Sequence, residues 1–238
     1  MNVKKYLVPL KMTASSLILF FALCAFAACG TAPKEHVEKY PLLVEIVGDS
    51  TGVDDVRLTA VLEKYGLDET SVYGWGNRRL IYDAPENVAD FQREIAGEFP
   101  TAEMKVYESP YYIFDRSNCD SGQTEEVWDR KIWSVALVAD PAMQQEYMDY
   151  HQHQFEQFPE VSAGFCRAEF QQLIMYRNGR QLLLIISYPA GKDYDTLNAR
   201  TVENNPRVDE WNAMMARYQT GIEGTAPDEV WISFEPVF

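Results

Sequence analysis

Along the first half of the chain, short apolar runs typical of strands alternate with stretches whose apolar residues recur at helical spacing. Residues 42–47 (LLVEIV) form a short β-branched run that is typical of a strand, and residues 53–65 place apolar side chains at helical spacing. The first half is predicted to contain a strand, a helix, two strands, a helix and a strand, at residues 42–47, 53–65, 72–75, 79–82, 85–99 and 102–107. Pro85 can open the second helix, and residues 111–114 can extend the last strand.

The second half shows the same alternation in the same order. Asp140 and Pro141 form a helix start, and Pro159 is expected to end that helix. Asn178-Gly179 is a good hairpin turn, because both residues tolerate a positive φ. The predicted elements are a strand, a helix, a strand pair, a helix and a strand, at residues 132–138, 141–158, 170–176, 182–188, 209–218 and 230–234.

Two βαββαβ units predict an α+β protein made of two tandem ferredoxin-like domains, of the dimeric α/β-barrel type. The first domain is expected at residues 41–114 and the second at 131–238. Residues 115–130 are polar and read as a linker. The two halves share the order of elements without a clear residue-by-residue identity.

The first 28 residues have the composition of a signal peptide. Lys4, Lys5 and Lys11 precede an apolar run that ends in small residues before Cys29. The sequence Phe26-Ala27-Ala28-Cys29 resembles a bacterial lipobox, in which the cysteine is lipidated after cleavage. We therefore expect a lipid-anchored protein of the cell envelope, with a tether over residues 29–40; cleavage by ordinary signal peptidase is the alternative.

Composition excludes several classes of protein. The chain has 238 residues, 47% hydrophobic residues and 24% charged residues, which is typical of a globular protein. Its net charge of −15 argues against nucleic acid as a partner, and against any attachment to an anionic membrane other than a lipid anchor. No metal-ligand spacing, phosphate loop or hydrolase motif is present. Cys119 and Cys166 can pair in an oxidising compartment or remain thiols.

Histidine limits where proton-transfer chemistry near neutral pH can occur. The chain has three histidines, and none lies between Tyr40 and Arg130. His36 lies in the tether and His153 is expected at the surface. His151 lies four residues after Tyr147 on the apolar stripe of a predicted helix, so it faces either a site or the edge of the core, where a backbone carbonyl would satisfy it.

Two aromatic residues, like His151, can be interpreted either as core residues or as residues that contact a ligand. Trp211 shares a helical stripe with Val208 and Met215, so it either packs in the core or offers its plane to the apolar face of a sugar. Tyr176 ends a predicted strand before the turn and either lines a pocket or packs. Both are candidates for substrate binding.

Residues 131–238 resemble the L-rhamnose mutarotase family. The residues that carry the resemblance are Tyr147-Met-Asp-Tyr150-His151, Phe158-Pro159-Glu160, Tyr176 with Gly179, the block from Pro206 to Trp211, Met215, Tyr218-Gln219, Pro227, Glu229, Trp231 and Glu235-Pro-Val-Phe238. Leu173 and Glu210 stand where the family has tyrosine and tryptophan. The resemblance therefore implies the type of reaction but does not identify the sugar.

The resemblance implies an isomerase that interconverts the α and β anomers of L-rhamnose or a related deoxy sugar by acid/base-assisted ring opening. It implies no cofactor, and a dimer or, here, an intramolecular pseudo-dimer with a degenerate first domain. It makes His151 the proton donor and gives Tyr147 and Trp211 the task of holding the sugar. The alternatives are a non-catalytic monosaccharide-binding lipoprotein and a small oxidoreductase that uses the same fold.

Overall fold

The computed structural model describes residues 40–85 and 87–238. Cys29, His36 and the predicted signal peptide lie outside the described residues. In the described part of the chain, no helix combines the length and the apolar character needed to cross a bilayer.

The first repeat forms a four-stranded antiparallel sheet in the order β4-β1-β3-β2. Its elements are β1 (Leu43–Val47), α1 (Asp55–Lys64), β2 (Val72–Trp75), β3 (Arg78–Tyr82), α2 (Val88–Glu98) and β4 (Glu103–Tyr107), with a 3-10 turn at Glu69–Ser71. Asp54 caps α1 by accepting hydrogen bonds from the amides of Val56 and Arg57. The expectation that Pro85 opens α2 is wrong, because Asn87 caps the helix and places its start at Val88.

The second repeat has the corresponding order, β10-β6-β8-β7. Its elements are β6 (Trp128–Leu137), α3 (Pro141–Gln152), α4 (Gln154–Gln157), α5 (Pro159–Arg167), β7 (Gln172–Asn178), β8 (Gln181–Pro189), α6 (Tyr194–Ala199), α7 (Pro206–Met215), β9 (Gln219–Thr220) and β10 (Ile232–Pro236), with a 3-10 turn at Ala216–Tyr218. The predicted class, two tandem α+β ferredoxin-like units, is confirmed.

The helical layer of this repeat differs from the prediction. The helix expected over 141–158 breaks at His153 into α3 and α4. Pro159 does not end the helical region; it occupies the first turn of α5, where its missing amide hydrogen costs nothing. Two short helices, α5 and α6, are absent from the predicted elements.

A further strand, β5 (Tyr112–Asp115), joins the second repeat. It pairs antiparallel with β7, with Tyr112 opposite Met175, so the predicted extension of β4 by residues 111–114 is wrong. The segment after it contains a 3-10 turn, Arg116–Asn118, and β6 already begins at Trp128, inside the predicted linker.

The two sheets face each other across a shared apolar interior. Strand β2 of the first repeat pairs with β10 of the second, which joins the sheets into one antiparallel sheet. Alternate side chains of each strand point to opposite faces. One face of both sheets therefore lines the interior, which includes Leu43, Tyr107, Tyr176, Ile185 and Phe234. The other faces are covered by α1 and α2 in the first repeat and by α3 to α7 in the second.

The interior also contains a buried ion pair. Arg78 Nη1 donates to Glu45 Oε1 at 2.7 Å, and the two side chains are 2% and 0% exposed. The second Glu45 oxygen accepts from Tyr107 Oη at 2.8 Å and from Gln181 Nε2 at 2.9 Å. Because Gln181 belongs to β8, this cluster links the two repeats.

Cys119 and Cys166 form a disulfide, which settles the alternative that the sequence left open. Their Cα atoms are 5.7 Å apart, within the range that a disulfide requires. The bond ties the segment that follows β5 to helix α5.

Candidate active site

Helix α3 positions two of the candidate residues. Asp140 caps it by accepting a hydrogen bond from the Ala142 amide at 2.8 Å, and Pro141 occupies the first turn. Tyr147 and His151 follow one helical turn apart on the face that packs against the sheet, and they are 1% and 6% exposed.

One hydrogen bond fixes the tautomer of the His151 ring. Nδ1 lies 2.9 Å from the carbonyl oxygen of Tyr147. A carbonyl oxygen can only accept, so Nδ1 carries the hydrogen and Nε2 carries the lone pair. Burial lowers the pKa of His151 to about 4, against the opposing effect of the hydrogen bond to the Tyr147 carbonyl. The imidazole is therefore neutral at pH 7, with Nε2 able to accept a proton.

Aromatic rings surround this imidazole. The ring of Tyr147 lies 4.2 Å from it, that of Trp211 5.1 Å, that of Tyr112 5.5 Å and that of Tyr111 6.0 Å, measured between centroids. The structure thus brings His151, Tyr147 and Trp211 together. Trp211 is 7% exposed, so its ring is also part of the core under α7.

The Tyr147 hydroxyl has polar side chains near it. Gln219 is one of them, and its Oε1 accepts from Trp231 Nε1 at 3.1 Å. Burial raises the pKa of Tyr147 to about 12, and the polar groups of Tyr111 and Gln219 act in the opposite direction. The phenol is therefore protonated at neutral pH.

A cavity of about 440 Å³ lies beside helix α5, and none of His151, Tyr147 and Trp211 is among its lining residues. Its wall includes Phe155, Ser162 and the Cys119–Cys166 disulfide. Phe155 stacks on Tyr112 at 5.6 Å between centroids, and the Tyr112 ring meets the His151 ring edge-on at 5.5 Å. The stacked pair of Phe155 and Tyr112 therefore connects the cavity wall to the imidazole.

Tyr176 does not lie at this site. Leu173 and Met175 of β7 face the helices, so the alternation along the strand points Tyr176 into the interior between the sheets. Its side chain is fully buried, and its hydroxyl donates to the Pro41 carbonyl at 2.7 Å. We conclude that the expected contact between Tyr176 and a sugar beside His151 is wrong.

The role of proton donor that the resemblance implies for His151 stays a prediction. Burial lowers the pKa of His151 to about 4, so the imidazole is uncharged at pH 7 in the protein without a bound sugar.

Comparison with known proteins identifies the second repeat. Residues 130–238 match the family model for L-rhamnose mutarotase. An L-fucose mutarotase of Xanthomonas campestris pv. campestris is 33% identical over 103 residues, which are 43% of this chain and 80% of the relative. The chain belongs to the L-rhamnose mutarotase family. Among the site residues, Tyr147, His151, Trp211 and Gln219 lie within the part matched to this mutarotase family, and Tyr111 and Tyr112 lie before it.

Two crystal structures share the general arrangement at low similarity. One is a protein of Fusobacterium nucleatum, with a TM-score of 0.43 and 11% identity over 83% of this chain and 92% of that chain. The other is an uncharacterised ferredoxin-fold protein of Listeria monocytogenes related to antibiotic biosynthesis monooxygenases, with a TM-score of 0.40 and 14% identity over 84% of this chain and 97% of that chain. Neither likeness bears on function.

The sequence did not indicate the contributions of Tyr111, Tyr112 and Gln219 as side chains of this site. Gln219 lies in the C-terminal block that resembles the mutarotase family, so the resemblance could have indicated it as a site residue. Tyr111 and Tyr112 reach His151 through the pairing of β5 with β7, for which no local pattern exists. Across residues 40–85 and 87–238, no three side chains of the types His, Cys, Asp or Glu lie close enough together to hold a metal ion.

Proposed function

We propose that this protein is a sugar mutarotase that interconverts the α and β anomers of a deoxyhexose such as L-fucose or L-rhamnose. One observation carries the proposal: within a region that matches the mutarotase family, the unprotonated Nε2 of His151 lies in a shell formed by Tyr147 and Trp211. A base beside a protonated phenol is the pair of groups that opening of a hemiacetal requires.

Ring opening begins at the anomeric hydroxyl. Nε2 of His151 takes the proton of O1 as the C1–O1 bond becomes a carbonyl and the C1–O5 bond breaks. The Tyr147 hydroxyl gives its proton to O5, which becomes the hydroxyl of the open-chain aldehyde. The products on the protein are an imidazolium and a phenolate, whose rings lie 4.2 Å apart and attract each other.

Ring closure reverses these transfers on the other face of the carbonyl. After rotation about C1–C2, O5 attacks C1, the phenolate takes the O5 proton, and the imidazolium returns its proton to O1. No atom or electron is gained or lost, and neither step uses a cofactor. The contribution expected from one positioned acid or base, about 10²- to 10⁴-fold, is sufficient because mutarotation already proceeds in water.

Trp211 supplies the sugar-binding surface in this proposal. Its indole lies edge-on to His151 and packs on Phe158 at 5.1 Å, so its ring orientation is fixed on two sides. The C–H groups on the apolar face of a deoxy sugar pack favourably against such a ring.

Access requires side chains to move, because His151, Tyr147 and Trp211 are all buried. We propose that the sugar enters from the 440 Å³ cavity and displaces the ring of Phe155, which lies in the cavity wall. Cavities of this size hold small ligands in many proteins.

We also propose that one chain is the working unit, with the first repeat in the place of a second subunit. The buried interior between the two sheets and the Glu45 cluster that spans it support this arrangement. The first repeat has no histidine, so one site per chain is expected. Light scattering of the purified protein tests this proposal, since a dimer would contradict it.

The cell envelope remains our proposed location, with a lipid on Cys29. The Cys119–Cys166 disulfide supports it, because such bonds persist mainly in oxidising compartments. Labelling of the wild type with a radioactive fatty acid, and loss of the label in Cys29→Ala, would be the expected result. If the Cys29→Ala variant is still labelled, the proposed lipid anchor on Cys29 is contradicted.

The rate of exchange between the α and β anomers of L-fucose and L-rhamnose, measured by exchange NMR, tests the proposed reaction. The wild-type protein should accelerate exchange between the α and β signals of at least one of the two sugars above the rate in buffer. Saturation transfer from the protein to a sugar would show binding. If the anomers of that sugar still exchange at the buffer rate, the result would instead favour the non-catalytic binding protein.

A further inference from the structure

Strand β5 supplies one side of the shell around His151. The strand adds to the edge of β7 by antiparallel pairing, with Tyr112 opposite Met175. Alternation along β5 turns Tyr112 and Phe114 toward the helical layer, where both side chains are buried. Tyr112 therefore contacts His151 from a part of the chain that precedes the residues matched to the mutarotase family.

The side chain of Tyr112 is held at both of its ends. Its main chain belongs to the β5–β7 pair, and its hydroxyl donates to Gln154 Oε1 at 2.6 Å. Gln154 is fully buried, and its Nε2 donates to the Phe158 carbonyl at 2.6 Å and to Ser162 Oγ at 3.2 Å. Because these bonds tie Gln154 to the end of α4 and to α5, the Tyr112 hydroxyl has a fixed partner.

The imidazole of His151 needs a support of this kind. Its Nδ1 lies 2.9 Å from the Tyr147 carbonyl oxygen, and that hydrogen bond restrains one atom of the ring. Rotation about the bond still changes the direction of Nε2. The Tyr112 ring stands at 90° to the imidazole with 5.5 Å between centroids, so it limits that rotation on one side. The direction matters because proton transfer requires Nε2 within hydrogen-bond reach of the sugar.

Phe155 differs from Tyr112 in what holds it. Its ring stacks on Tyr112 at 5.6 Å between centroids and lies in the wall of the 440 Å³ cavity. A phenyl ring has no polar atom that could anchor it, so Phe155 can turn aside as the proposed entry of the sugar requires. Tyr112 keeps its bond to Gln154 when Phe155 moves, and the imidazole keeps its neighbour.

We propose that Tyr112 is a positioning residue for the mutarotase reaction: its ring, anchored through Gln154, holds the His151 imidazole in the orientation that directs Nε2 toward the sugar. This inference rests on the proposed function. It assigns a part in the reaction to β5, which lies outside residues 130–238.

The variant Tyr112→Leu removes the ring and keeps an apolar side chain. Exchange NMR at several concentrations of L-fucose and L-rhamnose gives kcat and KM. We expect kcat to fall about tenfold while KM changes less than about twofold, because the orientation of the base matters in the transition state. Tyr112→Phe keeps the ring against His151 and loses only the anchor, so its kcat should stay within about threefold of the wild type. A loss in Tyr112→Phe as large as that in Tyr112→Leu would contradict the role of the ring.

Phe114→Leu is the matched control, and it separates positioning from packing. Phe114 is buried on the same face of β5, and its ring meets that of Phe165 edge-on at 5.2 Å, so the variant loses a comparable contact away from His151. It should lower the urea midpoint of unfolding about as much as Tyr112→Leu does and leave kcat within about twofold of the wild type. Equal losses of kcat in the two variants would show that Tyr112 only packs, and would overturn the inference.

Tyr112→Met covers the case in which Tyr112→Leu does not fold, since methionine adapts to irregular space but has no rigid ring. Its kcat should also fall about tenfold. Wild-type protein that leaves both sugars at the buffer rate overturns the proposed function and this inference with it. An active wild type whose folded Tyr112→Leu or Tyr112→Met variant is equally active overturns the inference alone.

Discussion

At His151, burial and a single hydrogen bond act in opposite directions on the imidazole. Burial disfavours the charged ring and lowers its pKa to about 4, while the bond to the Tyr147 carbonyl favours the charged ring and is the weaker effect. The carbonyl bond is also what a structural histidine at the core edge would make. In the proposed reaction, the reactive atom of His151 is therefore Nε2, the nitrogen that does not take part in that bond.

The pH profile of the reaction should reflect this protonation state. The base must be unprotonated, so kcat/KM should be constant from pH 7 downward and fall only as the pH passes through about 4. Exchange NMR across pH 3.5 to 8 on the purified protein, roughly the range over which His and carboxylic acids titrate, measures the profile. A limit near the ordinary histidine pKa of about 6.5 would contradict the buried, neutral base.

Tyr176 provides a residue-level test of the two sheet faces. Tyr176→Phe should change the exchange rate less than about twofold, since the residue faces the interior and not His151. Loss of its bond to the Pro41 carbonyl should reduce the free energy of unfolding by about 1 kcal/mol, which urea denaturation can measure. A large loss of activity at unchanged stability would place Tyr176 at the site after all.

Helical spacing was sufficient to group Tyr147 with His151, because residues one turn apart on a helix must share a face. Strand alternation was a less reliable guide at Tyr176, since the pattern does not say which of two buried faces meets the helices. Tyr111 was beyond prediction from local patterns, because its place depends on a strand pairing between residues more than 60 positions apart.

At the level of elements, β5 and the disulfide act together on the edge of the second sheet. The bond closes a loop between residues separated by 47 positions, and such a crosslink stabilises mainly by restricting the unfolded chain. The α3–α4 break and the separate α5 were missed because Pro159 can end one helix or begin another, and tertiary packing decides between them.

Removal of the disulfide should destabilise the protein. The double variant Cys119→Ser/Cys166→Ser should lose about 2–4 kcal/mol of unfolding free energy. Reduction of the wild type with dithiothreitol is the control, and it should shift the urea midpoint in the same direction. Identical midpoints for the oxidised wild type and the double variant would show that the bond contributes nothing.

At the level of the whole molecule, two helical layers enclose two sheets that share one interior. The order of elements predicted this repeat, since both halves alternate strands and helices in the same sequence. The cluster around Glu45 was not predictable, because a glutamate within an apolar strand run gives no sign of its partners on β3, β4 and β8.

The buried ion pair should contribute to the stability of the joined repeats. Glu45→Ala leaves Arg78 charged and buried without its partner, and should cost about 3–5 kcal/mol of unfolding free energy. Glu103→Ala is the matched control, because the Glu103 side chain is 64% exposed and its ion pair with Lys105 is long, at 3.9 Å. Glu103→Ala should therefore reduce the free energy of unfolding by less than about 1 kcal/mol. Equal losses in the two variants would contradict the role of the cluster.

Anomer exchange by His151→Gln at pH 7 tests the central claim most directly. Glutamine fills the space and can form hydrogen bonds but cannot accept the proton, so the rate on L-fucose or L-rhamnose should fall about 10²- to 10⁴-fold relative to the wild type. The unfolding midpoint, measured in parallel, should show that the variant remains folded. A folded His151→Gln variant that exchanges the anomers at the wild-type rate would contradict the account.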